Sequence, residues 1–422
     1  MPMKRLLCTF ALLLTAAAAG AQTLEEVARG NAGFPVRPGI WRLDGIDPNL
    51  GTADLEPLRG IIGKAQVVGL GEGYHTSGGF YVLKHRVFRY LVENMGFRVL
   101  ALETAWSGAE LASHYVQTCE GDPQEVLREH YGVWQGSEVV DLLRWMCEWN
   151  RAHPNPADKV HYLGFDVRQA RTDGLALIDF LQRIGIAADH PWIAGIRFCD
   201  EVTEDHPQGE IPAERHAPCV QALSAVDKHF QRNQAEIVRR TSQRDFAFAK
   251  LHLVGLRSEE DLEFLFNTDF PAAFSARDVA MAYSFQTLRA LKFPKAKTAI
   301  WAANVHVARS PRLRSGERPM GGYLAAALGR NYVSFGLVAY EAEIDLPGDC
   351  GPAPLADPSI EEQLHRLGED YLLVDMKRDT YIRRGTYTTW VFRFTPHRDH
   401  DYVFFLDRSE RMHPFGWPPC PE

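Results

Sequence analysis

The chain lacks most of the features that mark a specialised class. It has no internal repeat and no low-complexity segment, which excludes solenoid, collagen-like and wholly disordered architectures. Its 7 cysteines form no C-x-x-C pair, which argues against zinc ribbons and thioredoxin-type redox sites. There is no G-x-S-x-G turn and no H-E-x-x-H pair, so neither a serine α/β-hydrolase nor a zincin is expected. Positive charge is in deficit: 46 Lys and Arg against 54 Asp and Glu leave a net charge of −8, which repels nucleic acid and anionic membranes. Long apolar runs are missing too, apart from one near the N-terminus.

That run covers residues 6–18 and is shorter than the roughly 20 residues needed to cross a bilayer. Lys4 and Arg5 precede it and Ala19-Gly20-Ala21 follows, the pattern of a cleaved secretory signal over residues 1–21 rather than of an anchor. A periplasmic or secreted protein is therefore expected, with residues 22–422 as one domain and no membrane partner after cleavage. Cleavage removes two cations and no acids, so −8 becomes −10. Cys8 leaves with the signal. The other cysteines, Cys119, Cys147, Cys199, Cys219, Cys350 and Cys420, are even in number, as disulfides in an oxidising compartment require, but their spacing does not choose a pairing.

Hydrophobic periodicity supplies the fold class. Residues 66–70 read as a strand, 80–95 as a helix stopped by Gly96, and 98–102 as a second strand closed by Glu103. A helix follows at 109–116 and another at 138–150, before a third strand at 160–165 that ends on Asp166. From 173 to 293 the pattern is mostly helical, with a turn-rich interruption at 200–212. Strands are expected again at 297–302, with 303–306 as its exit loop, and at 332–338. The stretches 371–375, 390–394 and 402–406 are β-rich, with an antiparallel arrangement expected. The βαβα order predicts an α/β fold: a mostly parallel central sheet flanked by helices, with a large helical insertion or lid at about 170–293.

In open parallel sheets ligands bind beyond the carboxyl ends of the strands, where Glu72, His75, Glu103, Asp166 and His306 fall. Carboxylates and imidazoles at one rim suit general acid–base chemistry on water, because a neutral imidazole takes a proton and a carboxylate orients it. Each also has a plain structural reading. His75 suits a loop histidine bonded to backbone, Glu103 a cap for the next helix, His306 a buried core histidine, and Asp166 an ion pair with Arg168. The run Gly69-Leu70-Gly71-Glu72-Gly73-Tyr74 follows a strand, yet it is not a dinucleotide loop: Tyr74 replaces the third glycine and Glu72 would face the pyrophosphate.

The segments Gly69 to Thr76, Leu83-Lys84-His85-Arg86 and Gly96 to Glu103 resemble the opening block of the erythromycin esterase family. Gly164-Phe165-Asp166, Arg277 to Ala282, Trp301 to Arg309 and Met320 to Leu324 continue the resemblance in collinear order across roughly residues 60–340. It implies a hydrolase that opens an ester or lactone, of macrolide or other type, with no obligatory metal or organic cofactor and with a small-molecule substrate as its partner. His75 would be the general base, Glu72 and Glu103 its carboxylate partners, and His306 a second imidazole that positions water or steadies the oxyanion. Lys84 stands where the family's basic residue lies and would steady the same charge. Tyr74, Trp106, Trp134, Asp166 and Asn304 are the expected substrate-facing set.

Two departures bear on specificity: Gly79 stands where the family usually carries an acid, and Tyr74 replaces a small hydroxyl residue. Two other readings keep the fold. Distant metal- or haem-binding relatives suggest Glu72, His75 and His306 as ligands of a divalent ion, and a non-catalytic periplasmic binding protein would share the pocket.

Overall fold

A computed structural model describes residues 35–168, 170–205, 211–346, 349–355, 359–378, 387–389, 392–418 and 420. The expected signal at 1–21 lies outside them. After a short hairpin, β1 (Pro35–Arg37) and β2 (Ile40–Arg42), the chain enters the parallel core with β3 (Val67–Leu70). Helix α1 (Gly78–Met95) leads to β4 (Phe97–Ala105), and α2 (Ala109–Thr118) and α3 (Ser137–Ala152) lead to β5 (His161–Asp166). Five helices then intervene: α4 (Ala170–Arg183), α5 (Pro191–Asp205), α6 (Ala213–Arg240), α7 (Gln243–Leu265) and α8 (Phe270–Lys292). The chain returns with β6 (Lys297–Trp301), a four-residue helix α9 (Asn304–Val307), α10 (Met320–Leu328) and the long β7 (Tyr332–Leu346). The remaining strands are β8 (Asp349–Pro352), β9 (Tyr371–Asp375), β10 (Tyr387–Thr389), β11 (Phe392–Phe394) and β12 (Tyr402–Ser409).

The main sheet runs β1-β2-β9-β12-β7-β3-β6-β4-β5, with β8 paired to β7. From β12 to β5 every pairing is parallel. The antiparallel expectation for the C-terminal strands is met, since β9 runs against β2 and β12 and β10 runs against β11; what the pattern did not show is that β12 also lies parallel to β7. The reason is that β12 docks on a sheet already built, where α1 and β7 fix its direction, and local spacing carries no record of that. β10 and β11 pair only with each other, and Trp390 lies outside the described residues.

The parallel strands read as nearly continuous apolar runs because both sheet faces are covered. One face packs Phe80, Val87, Phe88 and Leu91 of α1 with Leu142, Leu143 and Met146 of α3. The other packs Met281, Phe285 and Leu288 of α8 with Met320 and Leu324 of α10. The helices between β5 and β6 also own a separate core of Leu177, Phe180, Ile193, Leu223, Phe230 and Leu253. That core explains why α5 continues to Asp205, into the first part of the stretch expected to be turns: Ile193, Ile196 and Cys199, the last bonded to Cys219 of α6, anchor the helix against the weak preference of its polar end, while 206–210 lie outside the described residues. The other bridges are Cys119–Cys147 and Cys350–Cys420. No helix of the described residues is long and apolar enough to cross a membrane.

Candidate active site

Strand register sets the site. Trp301 of β6 pairs with Leu70 of β3 and Leu102 of β4, so β3 and β6 end level with Leu102, while β4 runs on to Ala105. Glu72 lies two residues past Leu70 and Glu103 one past Leu102. Between Leu102 and Ala105 the β4–β5 pairing shifts register, a bulge that re-aims the intervening side chains, and Ala105 then pairs with Asp166. The glycine run allows the strands and α9 to approach. A β-carbon at Gly71 would sit 2.1 Å from Asn304 Oδ1, so this glycine serves the packing of α9 against the strand end.

Glu72 organises one half of the site. Its Oε1 is 2.9 Å from His75 Nδ1, and its Oε2 accepts from the Lys84 ammonium. Because an ionised carboxylate only accepts, Nδ1 carries the proton and His75 Nε2 remains as the basic nitrogen. Lys84 is sealed behind Glu72. It also donates to Ala302 O at 3.2 Å and lies 4.8 Å from the centre of the Trp301 ring. Burial lowers its pKa to about 8, although the Glu72 carboxylate opposes the fall. Trp134 meets His75 edge-on at 5.2 Å and donates its indole N–H to Glu103 O at 2.7 Å. The next residue, Thr76, has φ 65°, a left-handed backbone that a β-branched residue rarely adopts. The surroundings hold it there: Asp345 N donates to Thr76 Oγ1 at 3.0 Å and Met412 N to Thr76 O at 2.8 Å. These two bonds hold the left-handed turn directly after His75.

The other half is a buried charge network. Arg277 of α8 bonds both oxygens of Asp166, at 3.1 and 2.5 Å, and Glu103 Oε1 at 2.9 Å. Glu103 Oε2 accepts from Ala303 N at 2.8 Å. His306 Nδ1 is 2.6 Å from Asp278 Oδ1, whose other oxygen accepts from Met320 N at 2.7 Å. His306 Nε2 lies 3.1 Å from both Glu103 Oε1 and Arg277 Nη1. Burial works against a charge on His306, but Asp278 and Glu103 outweigh it and hold the imidazole up at about 10, so the protonated form that donates to Glu103 prevails at neutral pH. Glu103, although buried, is held well below the usual carboxylate range by His306 and Arg277.

This has a measurable consequence. A histidine whose folded pKa of about 10 exceeds its ordinary 6.5 contributes stability that is fully present below the lower value and lost as pH rises through the upper one. Asp278→Asn removes the leading cause. The stability gap between wild type and this variant, measured by urea unfolding, is expected to be widest near about pH 6 and to shrink toward about pH 10. A gap that stays flat would show that His306 is neutral.

The two halves meet in a cleft of about 500 Å³. Its polar wall is His75, Glu103, Arg168, Arg277 and His306, and its apolar wall is built from Phe266, Phe270, Phe274, Phe392 and Trp134. A larger cavity of about 620 Å³ lies between α6, α7 and α8, away from the imidazoles and strand ends, and has no comparable chemistry.

The structure thus brings Glu72, His75, Glu103 and His306 together, with Trp134 on the cleft wall. It places other expected residues elsewhere. Tyr74 does not narrow the cleft, because its ring is buried in the core and its hydroxyl donates to Pro354 O at 3.0 Å. Trp106 packs against Phe248 and His252 in the core. Asn304 spends its side chain on the backbone of Leu337, at 2.8 and 3.0 Å, and so pins α9. Asp166 lies beneath the cleft, paired with Arg277 and not with Arg168, whose partner is Glu263 at 3.2 Å. Lys84 does not face the cleft either. A side chain at Gly79 would meet Ser409 of β12 at 2.6 Å, so the family's acid has no room there.

Asp278, Arg168 and the phenylalanines were not anticipated as site residues. The adjacent charges Arg277-Asp278 inside an apolar helix were the available signal; the phenylalanines carried none, since buried aromatics are ordinary core. Of the sets able to hold an ion, Glu72, His75 and Glu103 place one ligand atom each within 4.8 Å of one another, whereas His306 is committed to Asp278.

Comparison with known proteins bears on the family and the fold. Residues 92–414 match the family model described as Erythromycin esterase. Erythromycin esterase type II of Escherichia coli is 25% identical over 318 residues, covering 68% of this chain and 72% of the relative. A putative hydrolase, YbfO, of Bacillus subtilis (strain 168) is 22% identical over 381 residues, covering 82% and 81%. Among solved structures, a mutant of the erythromycin esterase EreC in its open conformation aligns with a TM-score of 0.74 at 17% identity, covering 88% of this chain and 98% of its own. A Bacillus cereus protein aligns with a TM-score of 0.72 at 20% identity, covering 92% and 98%.

Proposed function

This chain belongs to the erythromycin esterase family, and from that premise we propose that it hydrolyses an ester or lactone by attack of a histidine-activated water. The observation that carries the proposal is the Glu72–His75 pair opening on an aromatic-walled cleft. Glu72 orients His75, His75 Nε2 takes the proton of a water, and the aromatic wall holds the apolar body of the substrate. The substrate is a small molecule, with a macrolide lactone or another large ester as the class that such a wall suits. The mature protein acts in the periplasm or outside the cell; the residue 1–21 pattern and three disulfides support this.

No cofactor is part of the proposal. One competing observation favours a metal, the closeness of Glu72, His75 and Glu103 ligand atoms. Against it, the Lys84 ammonium and the Arg277 guanidinium already neutralise Glu72 and Glu103, and a divalent cation would sit among these charges.

The test is mass spectrometry of macrolides and simple esters incubated with the purified protein, with and without a chelator. Gain of one water that survives chelation is expected. Loss of activity on chelation would establish the metal reading, and tight binding without any product would make this a binding protein.

A further inference from the structure

An attacked ester needs a donor for the charge that develops on its carbonyl oxygen, and the residue expected for this, Lys84, is sealed behind Glu72. Three cations line the cleft: His306, Arg277 and Arg168. His306 has its nitrogens on Asp278 and Glu103. Arg277 spends Nε and Nη2 on Asp166 and Glu103, its Nη1 faces His306, and two carboxylates in contact offset its charge. Arg168 is built differently. It gives one Nη2 bond to Glu263 at 3.2 Å, while its Nε is buried with no hydrogen-bond partner. Arg86 Nε is also buried without a partner, so what sets Arg168 apart is its place on the cleft wall, where a substrate oxygen can arrive. The arm is also held in place: the Tyr131 ring centre lies 5.9 Å from the guanidinium carbon, and Tyr131 Oη donates to Arg168 O at 2.9 Å. Its side chain is 31% exposed and lines the cleft, while Nε itself is covered in this conformation.

We propose that Arg168 is a catalytic residue whose Nε–H receives the oxyanion, a role that rests on the ester-hydrolase reading above. Water oxygen bonds to the carbonyl carbon, its proton passes to His75 Nε2, and the carbonyl π pair moves onto the oxygen held by Arg168. Collapse re-forms the carbonyl and breaks the bond to the alcohol oxygen. That oxygen takes the proton back from His75, so acid and alcohol leave with one water consumed.

The experiment measures kcat and KM with p-nitrophenyl acetate and butyrate for wild type, Arg168→Ala and Arg168→Lys. Melting curves confirm that each variant is folded. Arg168→Ala is expected to lose about 10²–10³ in kcat with little change in KM, as removal of one oxyanion donor does. Added guanidinium is expected to restore part of that loss, and Arg168→Lys to fall between. A structural role would show neither. The proposal is overturned if kcat stays within about threefold of wild type, if the whole loss appears in KM, or if neither guanidinium nor lysine reduces it. Should Arg168→Ala not fold, Arg168→Lys is read by the same kcat criterion. If the wild type hydrolyses no ester, the hydrolase reading has failed first, and that is visible before any variant is made.

Discussion

His75→Asn will lower kcat by about 10²–10⁴-fold, to the limit of detection for a slow ester, while the protein still folds. Asparagine keeps a short amide donor toward Glu72, so the Glu72–Lys84 pair behind it need not rearrange. What is lost is the imidazole nitrogen proposed to take a proton from water. Glu103 does not take its place, because Arg277, His306 and Ala303 N hold it as an anion whose oxygens are already engaged. His306 does not either, being protonated at neutral pH between Asp278 and Glu103. Single-turnover assays beside circular dichroism would check this; a variant within about tenfold of wild type would remove His75 from the mechanism.

Arg277→Met will destabilise the protein by about 3–5 kcal/mol, the usual cost of removing one partner from a buried charge cluster. Methionine fills much of the same volume, so the loss is electrostatic rather than a cavity. Asp166 is buried and takes both its guanidinium bonds from Arg277, and Glu103 would keep only His306 and Ala303 N. The effect is also expected to cross between elements, because Arg277 lies on α8 while its partners end β4 and β5. Urea unfolding followed by circular dichroism measures the loss. A change under about 1 kcal/mol would mean that water enters and solvates the freed carboxylates. Activity should fall more than stability alone explains, since Glu103 and His306 share the arginine.

Much of this was readable beforehand, and the gaps have physical causes. Strands β3, β4, β5 and β6 announced themselves as short apolar runs, and the rule that chemistry gathers at their carboxyl ends selected Glu72, His75, Glu103 and His306 without any coordinates. Strand-end position misplaced Tyr74 and Asn304, because it says where a backbone goes and not which way a side chain turns, and the family resemblance that named Lys84 carried no record of its burial behind Glu72. Tyr74 turned into the core for the area it buries, and Asn304 was drawn to the unpaired backbone of Leu337. β1 and β2 were not anticipated, being three residues each, with β2 held by pairing to β9 and β1 by pairing to β2.

The sequence by itself determined the α/β class, the erythromycin esterase family and the identities of the rim residues, since periodicity and collinear motifs are local properties. Tertiary structure alone decided the cysteine pairing, the direction of β12, and the partners of the buried charges. Asp166 chose Arg277, 111 residues away, over Arg168, two residues away, because a buried carboxylate takes the cation that packing presents, and chain distance has no part in that choice.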